Sequence, residues 1–224
     1  MSKKNQNEVA TEATLSATEK LFEKHGKKIV ITLVVLFLLA IGGFTYKYFV
    51  VDKNEAAAKE LIVTAQSHLS GEAPDYKLAL EGDENGAGFL DVIEQYGSTN
   101  AGNLANHYAG VCYLHLGDLE NAAKYLKEYE EVDGDILAQI INAQNLGLQG
   151  DIAVELGKYA EAVELFGKAV KASHNDYTTP YYLYKKALAL EAIGKVAEAK
   201  TCCENIVKLF PTSLEAREAD KLLY

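Results

Sequence analysis

The chain has 224 residues, of which 49% are hydrophobic and 24% are charged, and its net charge is −10 at pH 7. The charge is uneven, because residues 1–28 carry +2, whereas residues 51–224 hold 28 acidic against 15 basic residues. A surface this acidic repels phosphate groups, so the composition excludes nucleic acid as a primary partner.

A long uncharged stretch follows a polar N-terminal tail. Residues 1–28 have almost no apolar periodicity, which predicts a largely disordered tail. Residues 29–46 carry no charge and are flanked by lysines. As a helix rising about 1.5 Å per residue they would extend about 27 Å, close to the thickness of the hydrocarbon core of a bilayer. Aromatic residues gather at the end of the stretch, as they do at lipid headgroups, so the sequence predicts a transmembrane helix over residues 29–50.

A cleavable signal peptide is the alternative interpretation of this stretch. Ala40, Ile41 and Gly42 offer small residues at a spacing typical of a cleavage site. The apolar run continues to Tyr46, however, and the polar leader is long for a signal peptide, which favours an uncleaved anchor. Four lysines closely precede the stretch and three follow it. The positive-inside rule therefore favours a cytoplasmic N-terminus by a small margin.

The segment after the anchor, residues 51–224, begins with short helices. Residues 53–70 are rich in Ala, Glu, Lys and Leu, which predicts a helix. A loop with several glycines and one turn of helix follows, and residues 88–96 predict a second short helix. Residues 53–96 are thus predicted to form degenerate N-terminal helices ahead of a more regular region.

One pattern occurs three times in the remaining chain: a small residue, a glycine seven residues later, an alanine five residues further, and a bulky residue four residues further. The three copies are Gly110, Gly117, Ala122 and Leu126; Gly150, Gly157, Ala162 and Phe166; and Ala187, Gly194, Ala199 and Cys203. A glycine can end one helix in a left-handed conformation, and an alanine lets a second helix approach the first closely. The pattern therefore predicts three helical hairpins.

The predicted hairpins lie approximately at residues 103–136, 143–176 and 180–213. A capping helix is predicted at residues 212–223, beginning with a capping box at Thr212. One hairpin cannot bury its own apolar face, so the hairpins are expected to stack into a solenoid. The predicted fold class is all-α, with a single N-terminal transmembrane helix followed by a solenoid of helical hairpins.

The segments LGDLENAAKYL (116–126) and LGKYAEAVELFGKAV (156–170) resemble the tetratricopeptide repeat. With the lysine-flanked anchor and the block GFLDVIEQYGSTNAGNLANHYAGVCYLHLGD, they make residues 20–224 similar to single-span bacterial envelope proteins of the YfgM-like family, which is related to an ancillary subunit of the Sec translocon. The resemblance implies a protein of the bacterial inner membrane with a periplasmic repeat domain. It also implies a tethered interaction scaffold that works near the translocon or with periplasmic folding factors.

The sequence shows no reactive or ligand-binding constellation. The five histidines form neither an HExxH motif nor a Cys/His metal spacing, and the serines lack a GxSxG motif. Cys112, Cys202 and Cys203 are odd in number and lack the spacing of a disulfide framework, so we interpret them as small buried hydrophobic residues. The sequence therefore predicts no enzyme, no cofactor and no metal site.

The concave face of the stacked hairpins is the candidate binding surface. The first helix of each hairpin is expected to line this face, where Tyr, His and apolar side chains suit an extended peptide or a partner helix. The candidate residues are Leu104, His107, Val111, His115, Gln144, Asp151, Glu155, Tyr181, Tyr184 and Leu188. Packing between neighbouring hairpins is the alternative role for these side chains.

We therefore expect a membrane-anchored protein–protein interaction scaffold in the bacterial envelope. It would contact the bilayer through residues 29–50 and bind proteins or extended peptides through its groove. A structural or oligomerisation module of another envelope complex, without client binding, is the alternative. The sequence leaves homo-oligomerisation open.

Overall fold

The computed structural model describes the backbone of residues 3–223 and the side chains of residues 25–223. The chain divides into two compact units, Met1–Asn54 and Glu55–Tyr224, which are described separately. Helices make up most of both units, which confirms the all-α prediction.

The first unit is dominated by one long helix. Helix α1 spans Lys3–Tyr46 and continues into a π-helical segment, Lys47–Val51. The helix therefore includes residues 3–28, for which the sequence predicts a disordered tail. Glu, Lys and Ala are frequent in this stretch, and their high helix propensity accounts for the difference. Residues 1 and 2 of the predicted tail lie outside the described residues.

The apolar part of α1 is long enough to cross a membrane. In the part of the chain that the structure describes, the continuous helical stretch His25–Ser67 has the length and composition of a membrane span. The apolar side chains of residues 30–50 are exposed, as Phe37 and Leu39 illustrate. This is the helix in which the sequence predicts the anchor at residues 29–50, and its length and composition are also those of a signal sequence.

The second unit begins within α2, which spans Asp52–Ser67. Helices α3 (Tyr76–Glu81) and α4 (Phe89–Tyr96) follow, where the sequence predicts a turn of helix and a second short helix. Between them, Gly82–Asp83 pairs antiparallel with Gly86–Ala87 in a minimal β-hairpin. Apolar side chains of α2, α3 and α4 share one core with those of α5, so these helices extend the repeat region at its N-terminal end.

Residues 100–209 form three helical hairpins, α5/α6, α7/α8 and α9/α10. Their helices span Asn100–His115 and Leu119–Glu128, Ile136–Glu155 and Tyr159–Ala172, and Thr178–Ala192 and Val196–Leu209. Gly117, Gly157 and Gly194 lie at the turns with φ of +81°, +70° and +76°. A residue with a Cβ atom would be strained in this left-handed conformation. The observed φ angles therefore confirm that these glycines form the turns, as the sequence predicts.

The recurring small and bulky residues pack against each other inside each hairpin. A Cβ atom added to Gly110 would lie 2.5 Å from Cγ of Leu126, and one added to Gly150 would lie 2.6 Å from Cε1 of Phe166. The small residue is therefore required because the bulky side chain, 16 residues later, occupies the space above it. The alanines of the pattern, Ala122, Ala162 and Ala199, are buried between the two helices of each hairpin.

The last helix, α11, spans Leu214–Lys221 and covers the third hairpin with Ala216 and Ala219. Its N-cap is Ser213, whose hydroxyl accepts a hydrogen bond from the Ala216 N–H at 3.0 Å. The prediction that Thr212 caps this helix is therefore wrong, because the cap is the next residue. The backbone of Ser213 is extended, with ψ of 158°, which places its hydroxyl beneath the free N–H groups of the first turn.

Candidate functional site

The ten candidate residues lie on α5, α7 and α9, the first helices of the three hairpins. Counted back from the turn glycine of each hairpin, they occupy positions 13, 10, 6 and 2. The same position has a different environment in each hairpin, because the neighbouring helices present different side chains.

His107 is buried between the first and second hairpins, with 4% of its surface exposed. Its Nδ1 lies 3.3 Å from Nδ2 of Asn145, and Oδ1 of Asn145 accepts a hydrogen bond from Gln149 at 2.7 Å. Burial lowers the pKa of His107 to about 4, so the ring is neutral at pH 7. His107 therefore packs between hairpins and does not line an open groove, which corrects its assignment to the candidate surface.

The next hairpin shows why this position is enclosed. Gly147 lies ten residues before its turn glycine, as His107 does, and a Cβ atom there would collide with the ring of Tyr182 on α9. Position 10 thus faces the first helix of the following hairpin. A histidine fills the space opposite Asn145, and a glycine leaves room for Tyr182.

The other candidates of the first hairpin contribute little open surface. Leu104 packs against the core formed by α2–α5, and Val111 is half-buried. The exposed ring of His115 stacks on Tyr76 of α3, with centroids 4.0 Å apart. The short N-terminal helices therefore occupy part of the face to which these residues were assigned.

An ion pair links the second and third hairpins. Nζ of Lys185 on α9 donates hydrogen bonds to both carboxylate oxygens of Asp151 on α7, at 2.8 and 2.7 Å. The same Nζ lies 4.6 Å from the ring centroid of Tyr181 and 5.9 Å from that of Phe166. Burial alone would lower the pKa of Lys185, but its hydrogen bonds with Asp151 and the neighbouring Tyr181 raise it. Asp151 and Tyr181 are therefore brought together by a residue that the sequence analysis missed.

The sequence does contain a pattern that indicates the contact between Lys185 and Tyr181. Lys185 follows Tyr181 by four residues, and residues at this spacing lie on one face of a helix. A lysine four residues after an exposed tyrosine can place its ammonium group over the ring.

Two depressions flank α9. The first has a volume of about 240 Å³ and is mainly apolar; it is lined by Asp151, Val154, Tyr159, Phe166, Lys185, Leu188 and Ala189. The second has a volume of about 250 Å³ and is lined by Tyr181, Tyr184, Leu214, Glu215, Arg217 and Glu218. Four of the candidates, Asp151, Tyr181, Tyr184 and Leu188, thus line open surface around α9. Gln144 and Glu155 are exposed on α7 but line neither depression.

The depressions around α9 offer a partner aromatic, apolar and charged contacts. All three cysteines are buried and unbridged, and burial raises the pKa of Cys112 to about 12, so its thiol stays protonated. Among the residues that the structure describes, no three His, Cys, Asp or Glu side chains form a group able to hold a metal ion. The exposed aromatic and apolar groups around α9 are suited to burial against another molecule.

Two family models for the tetratricopeptide repeat match this chain, one at residues 105–136 and the other at residues 148–213. A TPR repeat-containing protein of Methanocaldococcus jannaschii is 28% identical, over 66% of this chain and 31% of its own length. The chain therefore spans less than a third of the length of this curated relative. The crystal structure of MamA matches 61% of this chain and 77% of that chain, with 17% sequence identity and a TM-score of 0.45. The two family models show tetratricopeptide repeats in the hairpin region.

Proposed function

We propose that this chain, which carries tetratricopeptide repeats, is a membrane-anchored scaffold that binds polypeptides on the face around α9. One observation carries the proposal: exposed apolar groups flank an ion pair that is already satisfied. Tyr181 and Leu188 are each 42% exposed, and the pair between Asp151 and Lys185 lies between them. A partner that covers this face buries apolar surface without stranding a charge, and solenoids of this kind commonly bind proteins through such a face.

The anchor is the second part of the proposal. The exposed apolar stretch of α1 supports insertion of residues 29–50 into a bilayer. From the lysine bias and the resemblance to YfgM-like proteins, we place the chain in a bacterial inner membrane, with its N-terminus in the cytoplasm and its repeats in the periplasm. Translocon subunits and periplasmic folding factors are the partners that this resemblance supports.

Site-specific photo-cross-linking in native membranes tests the binding face. A photoreactive phenylalanine analogue would replace Tyr181 or Leu188 in the full chain, and Leu116 would be the matched control. Leu116 is 48% exposed but lies at the turn between α5 and α6. We expect cross-links from positions 181 and 188 to other polypeptides, and none from position 116. Further replacement of Tyr184 by alanine should reduce the cross-links from position 181.

The same experiment separates the alternative function. Cross-links that join only copies of this chain would indicate an oligomerisation module without clients. Equal cross-linking from position 116 would show that the face around α9 has no special role.

Alkaline extraction and protease accessibility test the anchor and its orientation. An uncleaved anchor keeps the full-length chain in the membrane pellet at high pH. Release of a shortened chain would show that the N-terminal segment is a cleaved signal peptide. In spheroplasts, digestion of residues 51–224 without lysis is expected, and protection of that segment would reverse the proposed orientation.

A further inference from the structure

A third depression lies at the C-terminal end of the repeats. It has a volume of about 480 Å³ and is lined by Asp176, Tyr177 and the consecutive residues Leu209–Glu215. Leu214 and Glu215 also line the depression between α9 and α11, so the two depressions adjoin at these residues. We call this combined surface, from Tyr177 past Leu214 to Tyr184, the C-terminal groove.

Large apolar side chains are exposed along the C-terminal groove. Tyr177 is 87% exposed and Leu214 is 68% exposed. Ala216 and Ala219 supply the contacts by which α11 covers the third hairpin. The fold therefore does not use Leu214 for packing, and burying it against a partner would be favourable.

Carboxylates predominate among the charged groups of this groove. Asp176, Glu215 and Glu218 lie along it, and Arg217 is the cation among its lining residues. The carboxylate of Glu218 accepts hydrogen bonds from Lys221 at 2.8 and 2.9 Å, whereas Asp176 and Glu215 form no ion pair within residues 25–223. The surrounding segment, residues 51–224, holds 28 acidic against 15 basic residues, so its field attracts cations toward the groove.

We propose that the C-terminal groove binds a polypeptide segment in which a bulky apolar side chain lies next to lysine or arginine. The apolar side chain would cover Leu214, and the cation would lie near Glu215 or over the ring of Tyr177. This inference rests on the proposed function and specifies the chemistry of the segment that the scaffold selects. An acidic segment of the same hydrophobicity is disfavoured, because its charges would face unpaired carboxylates.

Fluorescence anisotropy with matched peptides tests the selectivity. The probes are two labelled 12-residue peptides with the same leucine and phenylalanine positions, one carrying four lysines and the other four glutamates. The binding partner is the full chain in lipid nanodiscs. We expect the lysine peptide to bind at least tenfold more tightly in 50 mM salt, and the ratio to shrink in 500 mM salt because ions screen exposed charges.

Paired variants test the location. Leu214→Ser and Glu215→Gln are each expected to weaken binding of the lysine peptide at least threefold. Glu215→Gln should also reduce its preference over the glutamate peptide. The controls are Leu137→Ser on α7 and Glu204→Gln on α10, which replace exposed residues outside the groove and should leave binding unchanged. Circular dichroism melts of all four variants identify any loss of affinity that comes from unfolding.

The outcomes separate the inference from the proposed function. Equal binding of both peptides, lost on Tyr181→Ala, would uphold the binding face and overturn the charge selectivity. Selective binding that neither Leu214→Ser nor Glu215→Gln weakens would overturn the location. Failure of both peptides to bind, together with the absence of cross-links from position 181, would overturn both proposals. Self-association that Leu214→Ser abolishes would show that a second copy of the chain occupies the groove.

Discussion

Nδ2 of Asn145 lies 3.3 Å from Nδ1 of His107, across the contact between the first and second hairpins. Oδ1 of the same amide accepts a hydrogen bond from Gln149, which directs the NH₂ group of Asn145 toward the ring. Nδ1 of His107 can accept that hydrogen bond only when the imidazole is neutral. The contact between the hairpins is therefore sensitive to protonation of His107.

We expect the free energy of unfolding to fall as the pH decreases from 6.5 to 4. The pKa of His107 is lowered from 6.5 to about 4 by burial, so the unfolded chain binds the proton more tightly than the folded chain. Neutral His107 therefore contributes about 3 kcal/mol to the free energy of unfolding above pH 6.5. This contribution is lost progressively as the pH falls toward 4. Denaturant titrations at several pH values would measure it.

His107→Gln should remove most of this pH dependence, because the glutamine does not titrate. His115→Gln, at an exposed ring on the same helix, is the matched control for the loss of one histidine. An unaltered pH profile for His107→Gln would contradict the assignment to His107.

Gly150→Ala should destabilise the second hairpin by about 1–3 kcal/mol, because the added Cβ atom would overlap the ring of Phe166. Gly167→Ala on α8 is the matched control. A Cβ atom there would meet Nζ of Lys186 at 3.5 Å, an ordinary contact, and alanine favours a helix by up to about 1 kcal/mol over glycine. Thermal melts should therefore shift in opposite directions for the two variants, and two similar shifts would contradict the packing described.

Removing one partner of the ion pair between Asp151 and Lys185 should lower the stability of the fold more than removing both partners. Asp151→Ala leaves a half-buried ammonium without its carboxylate and should lower stability by about 1–2 kcal/mol. The double variant with Lys185→Met should recover part of that loss, because no charge remains to be solvated. Denaturant titrations of the two single variants and the double variant give the coupling energy, and strict additivity would show that the two groups do not interact.

Asn142→Ala should loosen the acidic segment between α6 and α7. The side chain of Asn142 accepts hydrogen bonds from the hydroxyl of Tyr129 at 2.7 Å and from the Val132 N–H at 3.1 Å, and it donates to the Val132 carbonyl at 3.0 Å. Losing these partly buried contacts should cost about 2–3 kcal/mol and speed proteolysis within residues 129–135.

Asn103→Ala is the control for Asn142→Ala, because it removes similar backbone contacts at a more exposed position. Its amide makes the same pair of backbone contacts with Glu130, at 2.8 Å each, but in a more exposed place. Its effect on proteolysis should be smaller. An effect equal to that of Asn142→Ala would mean that burial does not strengthen these contacts.

The hairpins could be predicted from sequence because their determinants are local. A left-handed turn at Gly157 and a close helix contact at Ala162 depend on residues within one hairpin, and the spacing of these residues specifies both. The sequence predicts the cap of α11 one residue too early because Thr212 and Ser213 both carry hydroxyl groups. Only the backbone conformation decides which of them caps the helix.

The candidate surface was harder to predict because it depends on neighbouring helices. Sequence position places His107 on the expected face of α5, but Asn145, 38 residues later, encloses it. Tyr76, on another helix, stacks on one face of the exposed His115 ring. The role of Lys185 depends on Asp151, which lies on another hairpin, and no local pattern reveals that pairing.

The residues ten positions before the turn glycines also have a consequence for chain order. His107 fits only a following hairpin that presents Asn145, and Gly147 fits one that presents Tyr182. Packing inside each hairpin depends only on that hairpin's own residues, whereas the contact at position 10 depends on the hairpin that follows. Exchanging the second and third hairpins would place Tyr182 against His107, and Asn145 against Tyr184. The side chains at the junctions therefore determine the order in which the repeats can stack.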